Sequence, residues 1–127
     1  MINIDPSSKE PIYRQIVTAF KEQVARGILA QDEKIPSVRE LSSQIVVNPN
    51  TISKAYQELE REGIIITVRG RGTFIAEQVV KEIVSKDIEE VKEKVKQLVL
   101  EGYYAGIEKD VMQDWVACYY NQFGGKS

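Results

Sequence analysis

Ile12, Ile16, Phe20 and Val24 recur at every fourth position, with Val17 beside them, between Pro11 and Gly27. That spacing returns to one side of a helix, so it predicts an amphipathic helix whose apolar stripe packs into a core. Pro11 suits the first helical position, because it lacks the amide hydrogen that a first turn leaves unpaired, and Gly27 suits a terminator. The residues before it, with Asp5-Pro6 and Ser7-Ser8, read as an extended lead-in. A polar loop from Leu29 to Pro36 then leads to Ser37 and Glu40, which stand at capping-box spacing: the serine oxygen accepts from the third backbone amide while the glutamate reaches back. A short helix is predicted from Val38, turning Leu41 and Ile45 inward.

Val46 and Val47 make a turn, after which Asn48 is the cap and Pro49 the first residue of another helix. Ile52, Ala55, Tyr56 and Leu59 share one face of it, leaving Asn50, Thr51, Ser53, Lys54 and Gln57 elsewhere, and Gly63 ends it. Ile64 to Val68 is β-branched throughout, and Thr73-Phe74-Ile75 resumes strand character after Arg69-Gly70-Arg71-Gly72, so a hairpin is predicted with a tip that its glycines leave free to turn. After Ala76 the pattern changes. From Ser85 to Tyr104 the residues Ile88, Val91, Val95 and Leu98 form a heptad-like seam, with Glu and Lys on the other faces. Gly102 and Gly106 bracket a break, and a last helix from Lys109 to Gln122 gathers Met112, Trp115, Val116 and Tyr119 before a frayed Phe123-Gly124-Gly125.

Two helices across a tight turn, followed at once by a hairpin with a basic glycine-rich tip, are the layout of a winged helix-turn-helix. The expected fold class is α+β: a winged helix-turn-helix over residues 1–77, followed by a short all-α dimerisation tail over 78–127. The layout points to DNA. With 127 residues the chain has room for one modest core but not for a large catalytic domain beside this motif. Net charge is only -2, and the acidic excess lies beyond Glu77, so DNA affinity must come from a local basic surface. Arg69 and Arg71 are the clearest candidates, with no acid between Glu62 and Glu77.

Histidine is absent and Cys118 is the single cysteine. An internal disulfide is therefore excluded, and the commonest general base and metal ligand are missing, so no enzyme activity, metal or cofactor is expected. The N-terminus carries acids and prolines where a signal peptide carries a basic flank and an apolar run, and no stretch is long and apolar enough to span a bilayer. A cytoplasmic location is the expectation.

In such a motif the N-terminal turn of the second helix enters the major groove, where Asn50, Thr51, Ser53 and Lys54 reach base edges or phosphates. The turn at Asn48 and Pro49 exposes free amides at the positive end of the helix dipole, which favours a nearby phosphate, although Asn48 is equally accounted for as a cap. Arg39 has the reach for a guanine edge or a backbone oxygen. Arg69, Gly70, Arg71 and Gly72 form a narrow tip suited to the minor groove or the adjacent phosphates.

The segments PIYRQIVTAFKEQVARG, KIPSVRELSSQIVVNPNTISKAYQELEREGII and RGRGTFI together resemble the N-terminal domain of the GntR-type transcriptional regulators. VNPNT joined to a short helical tail is similar to the YtrA-type branch, whose members are usually dimeric repressors encoded beside transporter genes. The resemblance implies DNA contacts from Arg39, Asn48, Asn50, Thr51, Ser53, Lys54 and Arg69 to Gly72. It also marks a departure, since Val46 stands where the helix-helix turn often has glycine.

One winged helix gains specificity by pairing, because two half-sites read together multiply discrimination. Ile88, Val91, Val95, Leu98, Met112, Trp115 and Tyr119 either bury against a second chain or pack the tail on its own winged domain, and the length of the seam favours a homodimer. Such a dimer expects a palindromic operator in double-stranded DNA, with recognition helices roughly 34 Å apart. The alternative class is an adaptor that binds a protein partner instead of DNA. No residue pattern names a small-molecule effector.

Overall fold

The computed structural model describes residues 2–78 and 85–124. The elements run α1 (Ile12–Ala25), β1 (Lys34–Ile35), α2 (Val38–Ile45), α3 (Pro49–Arg61), β2 (Ile65–Val68), β3 (Gly72–Ile75), α4 (Ser85–Tyr104) and α5 (Lys109–Phe123). The chain divides after Gln78 into two compact units.

In the first unit α1 and α3 pack together, α2 lies against α3, and β2 follows α3 into a small sheet. The core holds Ile16, Val17 and Phe20 of α1, Leu41 of α2, Ile52, Ala55, Tyr56 and Leu59 of α3, and Ile35, Ile65 and Ile75 of the strands. Each fully buried Ile, Leu or Val there contributes about 1.5–3 kcal/mol of transfer free energy. Phe20 and Tyr56 meet edge to face with ring centroids 5.8 Å apart, which locks α1 on α3.

Pro11 stands one position earlier than expected. Its ψ of 148° is not helical, and it serves as the N-cap whose carbonyl accepts from Gln15 at 3.1 Å. The lead-in is also more than extended chain, because Ile2 and Ile4 pack on the core. Gln15 holds it in place, accepting from the Asp5 amide at 2.8 Å and donating to the carbonyls of Asp5 and Glu10.

Ser37 and Glu40 form the full capping box, with bonds of 3.1 and 2.8 Å. Asn48 caps α3 through its side-chain oxygen, Pro49 opens the helix, and Gly63 takes φ +79° just beyond its end. The loop from Leu29 to Pro36 contains a strand that its pattern does not announce. β1 pairs antiparallel with β3, Lys34 opposite Phe74 and Ile35 opposite Thr73, giving a three-stranded sheet of order β1-β3-β2. Two residues are too short for an alternating pattern to register.

The second unit is the helix pair α4 and α5. Gly102 lies inside α4 and is buried, and the break comes at Gly106, which turns the chain with φ +81°. Gly102 has a packing reason instead, because a Cβ there would collide with the Met112 methyl group of α5. Ile88, Val91, Val95 and Leu98 are all exposed in the single chain, as are Trp115, Val116 and Tyr119.

Candidate nucleic-acid interface

The turn between α2 and α3 sets the direction of the second helix. Val46 adopts the left-handed conformation, φ 54° and ψ 56°, and is 88% exposed. A β-branched residue is strained there, and the turn is held by local bonds: the Val47 amide donates to the Ser42 carbonyl at 3.2 Å, while the Ser42 hydroxyl donates to the Val47 carbonyl at 2.6 Å. The glycine missing at this position therefore leaves the backbone geometry of a glycine turn in place, at a cost in strain.

Beyond the turn, Asn48 Oδ1 accepts from the Asn50 amide at 2.7 Å. The cap role is thus occupied by the oxygen, leaving the side-chain NH2 as the part of Asn48 that a DNA acceptor can use. Asn50 and Lys54 are exposed and one helical turn apart, whereas Thr51 and Ser53 are half-buried. Thr51 and Ser53 therefore flank the exposed line that Asn50 and Lys54 form. Lys54 carries a contact its sequence context does not show: its Nζ lies 4.0 Å from the centroid of the Tyr13 ring of α1.

The wing is the β2–β3 hairpin, registered as Ile65 with Ile75, Ile66 with Phe74, Thr67 with Thr73 and Val68 with Gly72. Its tip closes by the Arg71 amide donating to the Val68 carbonyl at 2.9 Å, with Gly70 at φ +79° in the third position, as a type II turn requires. Arg69 and Arg71 are exposed on either side of that glycine. Gly72 follows the turn directly and pairs with Val68 at the tip end of the hairpin. It opens β3 with φ +126°, and a Cβ on it would stand 2.8 Å from Lys34 Cε. Lys34 thereby lies beside Gly72 as a further cation, missed because β1 reads as loop.

Among the described residues some cations have acid partners and others do not. Lys21 pairs with Glu62 at 2.7 Å, Arg26 with Glu22 at 3.9 Å, and Arg61 with Glu58 through both ends of the guanidinium. Arg39, Lys54, Arg69 and Arg71 have no carboxylate in salt-bridge range among the described residues. Their charges are open to an anionic partner. Acids nearby are engaged elsewhere: Glu40 is held below the usual carboxylate range by the Ser37 backbone amide, then by the Ser37 hydroxyl, with the Lys34 charge a smaller cause. Arg61 holds the Glu58 carboxyl down to about 2.

No group of three possible metal ligands occurs among the described residues, nor any helix long and apolar enough to cross a membrane. In the second unit, Val95, Leu98, Val99, Tyr103, Met112 and Val116 line an open, mostly apolar groove of about 520 Å³.

Residues 12–75 match the family model of bacterial regulatory proteins, gntR family. The chain is 50% identical over 116 residues to the HTH-type transcriptional repressor YtrA of Bacillus subtilis (strain 168), spanning 91% of this chain and 89% of that protein. A crystal structure of a transcriptional antiterminator from Listeria monocytogenes EGD-e superimposes with a TM-score of 0.84 at 46% identity, over 100% of this chain and 96% of that one. The DNA-binding domain of AraR, in complex with operator ORE1, superimposes with a TM-score of 0.51 at 32% identity, over 60% of this chain and 93% of that one.

Proposed function

Since the chain belongs to the GntR family of bacterial regulatory proteins, we propose that it is a sequence-specific DNA-binding repressor that acts as a homodimer on a palindromic operator. The observation that carries this reading is the set of cations with no carboxylate in salt-bridge range among the described residues, Arg39, Lys54, Arg69 and Arg71, together with a recognition helix that exposes Asn50 and Lys54 beside half-buried Thr51 and Ser53. α3 enters the major groove with its N-terminal turn, where Asn50 reads a base edge and Thr51 and Ser53 sit close to the groove walls. Asn48, through its side-chain NH2 at the positive end of the helix dipole, meets a phosphate. Arg39 contacts a guanine edge or the backbone, while the wing lays Arg69 and Arg71 along the minor groove or its phosphates.

The likeness to the repressor YtrA and to an operator-bound AraR domain supports a repressor of this kind, working in the cytoplasm beside the chromosome. The YtrA-type resemblance extends the reading to a transporter-type operon. Dimerisation falls to α4 and α5, whose apolar residues Ile88, Val91, Val95, Leu98, Trp115 and Tyr119 are exposed in one chain, with Met112 half-buried between them. An apolar surface of that extent is best accounted for by burial against the same surface of a second copy. A gel shift with promoter DNA of the protein's own operon tests the reading: a retarded band at low salt that fades as salt rises supports it, whereas no retardation at low salt removes it.

A further inference from the structure

Lys54 is exposed on the reading side of α3, one turn after Asn50, yet its ammonium does not hang free in water. It stands 4.0 Å from the centroid of the Tyr13 ring, a residue of the first turn of α1 that is itself partly buried against the core. A cation over the face of an aromatic ring is attracted by the negative face of the π-system. The same ring borders a second cation, since the Arg14 guanidinium carbon lies 5.3 Å from the centroid and its terminal nitrogen 3.5 Å from the Tyr13 hydroxyl. The two cations differ in what opposes them. Neither has a carboxylate in salt-bridge range among the described residues, but Arg14 is close enough to Glu58 to help lower that carboxyl.

We propose that Tyr13 is a positioning residue for DNA binding: its ring holds the Lys54 ammonium ready for one backbone phosphate bordering the groove that α3 enters. This rests on the DNA-binding reading given above. Three physical points carry it. A lysine side chain carries rotamer entropy that binding must remove, and a contact already made in the free protein removes part of it in advance. A ring achieves this without consuming charge, because an acid partner would neutralise the ammonium and would have to be displaced by phosphate, whereas a π-face leaves its N–H donors available. Finally, the tether draws the ammonium sideways toward α1. A groove-bound helix meets the bordering strand on its flank, and base edges at its outermost line, so the group held toward α1 meets phosphate.

The test is a double-mutant cycle on a duplex selected from a randomised pool by the unaltered protein. Tyr13→Leu keeps apolar bulk but removes the ring, and binding is expected to weaken about two- to fivefold, the range of an exposed cation–π contact. Tyr13→Phe, which restores the ring without the hydroxyl, is expected to recover most of that loss. In a Lys54→Gln background, Tyr13→Leu is expected to cost nothing further, and Lys54→Gln should lower the slope of log affinity against log salt by about 0.9 for each phosphate it leaves without a cation. Equal losses from Tyr13→Leu with and without Lys54, or a Tyr13→Phe loss as large as that of Tyr13→Leu, would overturn the proposal. Should Tyr13→Leu fail to fold, the Lys54 ε-methylene protons of the unaltered protein decide: an upfield ring-current shift abolished only on unfolding supports the contact, and random-coil shifts sink it. If no duplex is enriched at all, the DNA-binding reading itself fails, and this inference with it. An enriched duplex without coupling between Tyr13 and Lys54 overturns this inference alone.

Discussion

The Tyr56 hydroxyl donates to the Pro36 carbonyl oxygen across 2.6 Å, joining α3 to the residue just before the cap of α2. Pro36 has no amide hydrogen, and its carbonyl lies where α2 begins, so this bond fixes the entry of α2 relative to the proposed recognition helix. Tyr56→Phe is expected to lower the free energy of unfolding by about 1 kcal/mol, the net worth of one such hydrogen bond, read from urea denaturation.

The same residue predicts an alkaline limit. Burial, foremost, and the nearby Glu40 charge push the Tyr56 hydroxyl well above its ordinary value. A group whose folded pKa is raised lends stability that is present below its unfolded pKa, about 10, and lost as pH rises beyond it. The denaturation midpoint is therefore expected to fall above that pH, and to fall less steeply in Tyr56→Phe.

An acid limit follows from Glu58, whose carboxyl is held down to about 2 by Arg61. Here the folded pKa is depressed, so the stabilisation is present above the ordinary carboxylate value and is lost as pH falls toward about 2. In Glu58→Gln the fall in melting temperature over that window is expected to be shallower than in the parent.

Val46 carries strain without compensating burial, being left-handed and 88% exposed. Val46→Gly removes a steric cost of about 1–2 kcal/mol and restores some unfolded-chain entropy, so a net gain of about 1 kcal/mol in stability is expected from thermal melts. A loss of stability would show that the turn is not strained.

Asn50 and Arg71 are expected to fail in different ways. Arg71→Ala should weaken binding to all duplexes alike and lower the salt slope by about 0.9 per phosphate, because a wing arginine meets charge. Asn50→Ala should instead flatten preference at one base pair by about 1–3 kcal/mol, read from competition among single-base variants of the selected duplex.

Much of the fold is legible where signals are local. The stripe from Ile12 to Val24, the Ser37–Glu40 box and the Asn48-Pro49 start each lie within a turn or two of chain, and the structure has all of them. β1 is not legible, because Lys34 and Ile35 become a strand only through pairing with Phe74 and Thr73, far away in the chain. Gly102 misleads for a similar reason: a glycine near a helix end reads as a breaker, but here it answers the approach of Met112 from α5. At the candidate interface, the exposure of Asn50 and Lys54 follows from helical spacing, while the Tyr13 ring beside Lys54 and the crossing of Lys34 over Gly72 depend on tertiary packing.

A hydroxyl-radical footprint on the selected duplex reads sequence specificity and pairing together. Two protected patches related by two-fold symmetry, their centres about 10 base pairs apart or a multiple of that on the duplex, are the expected result. A single unpaired patch, or uniform weak protection that does not follow sequence, would contradict a dimeric operator reader.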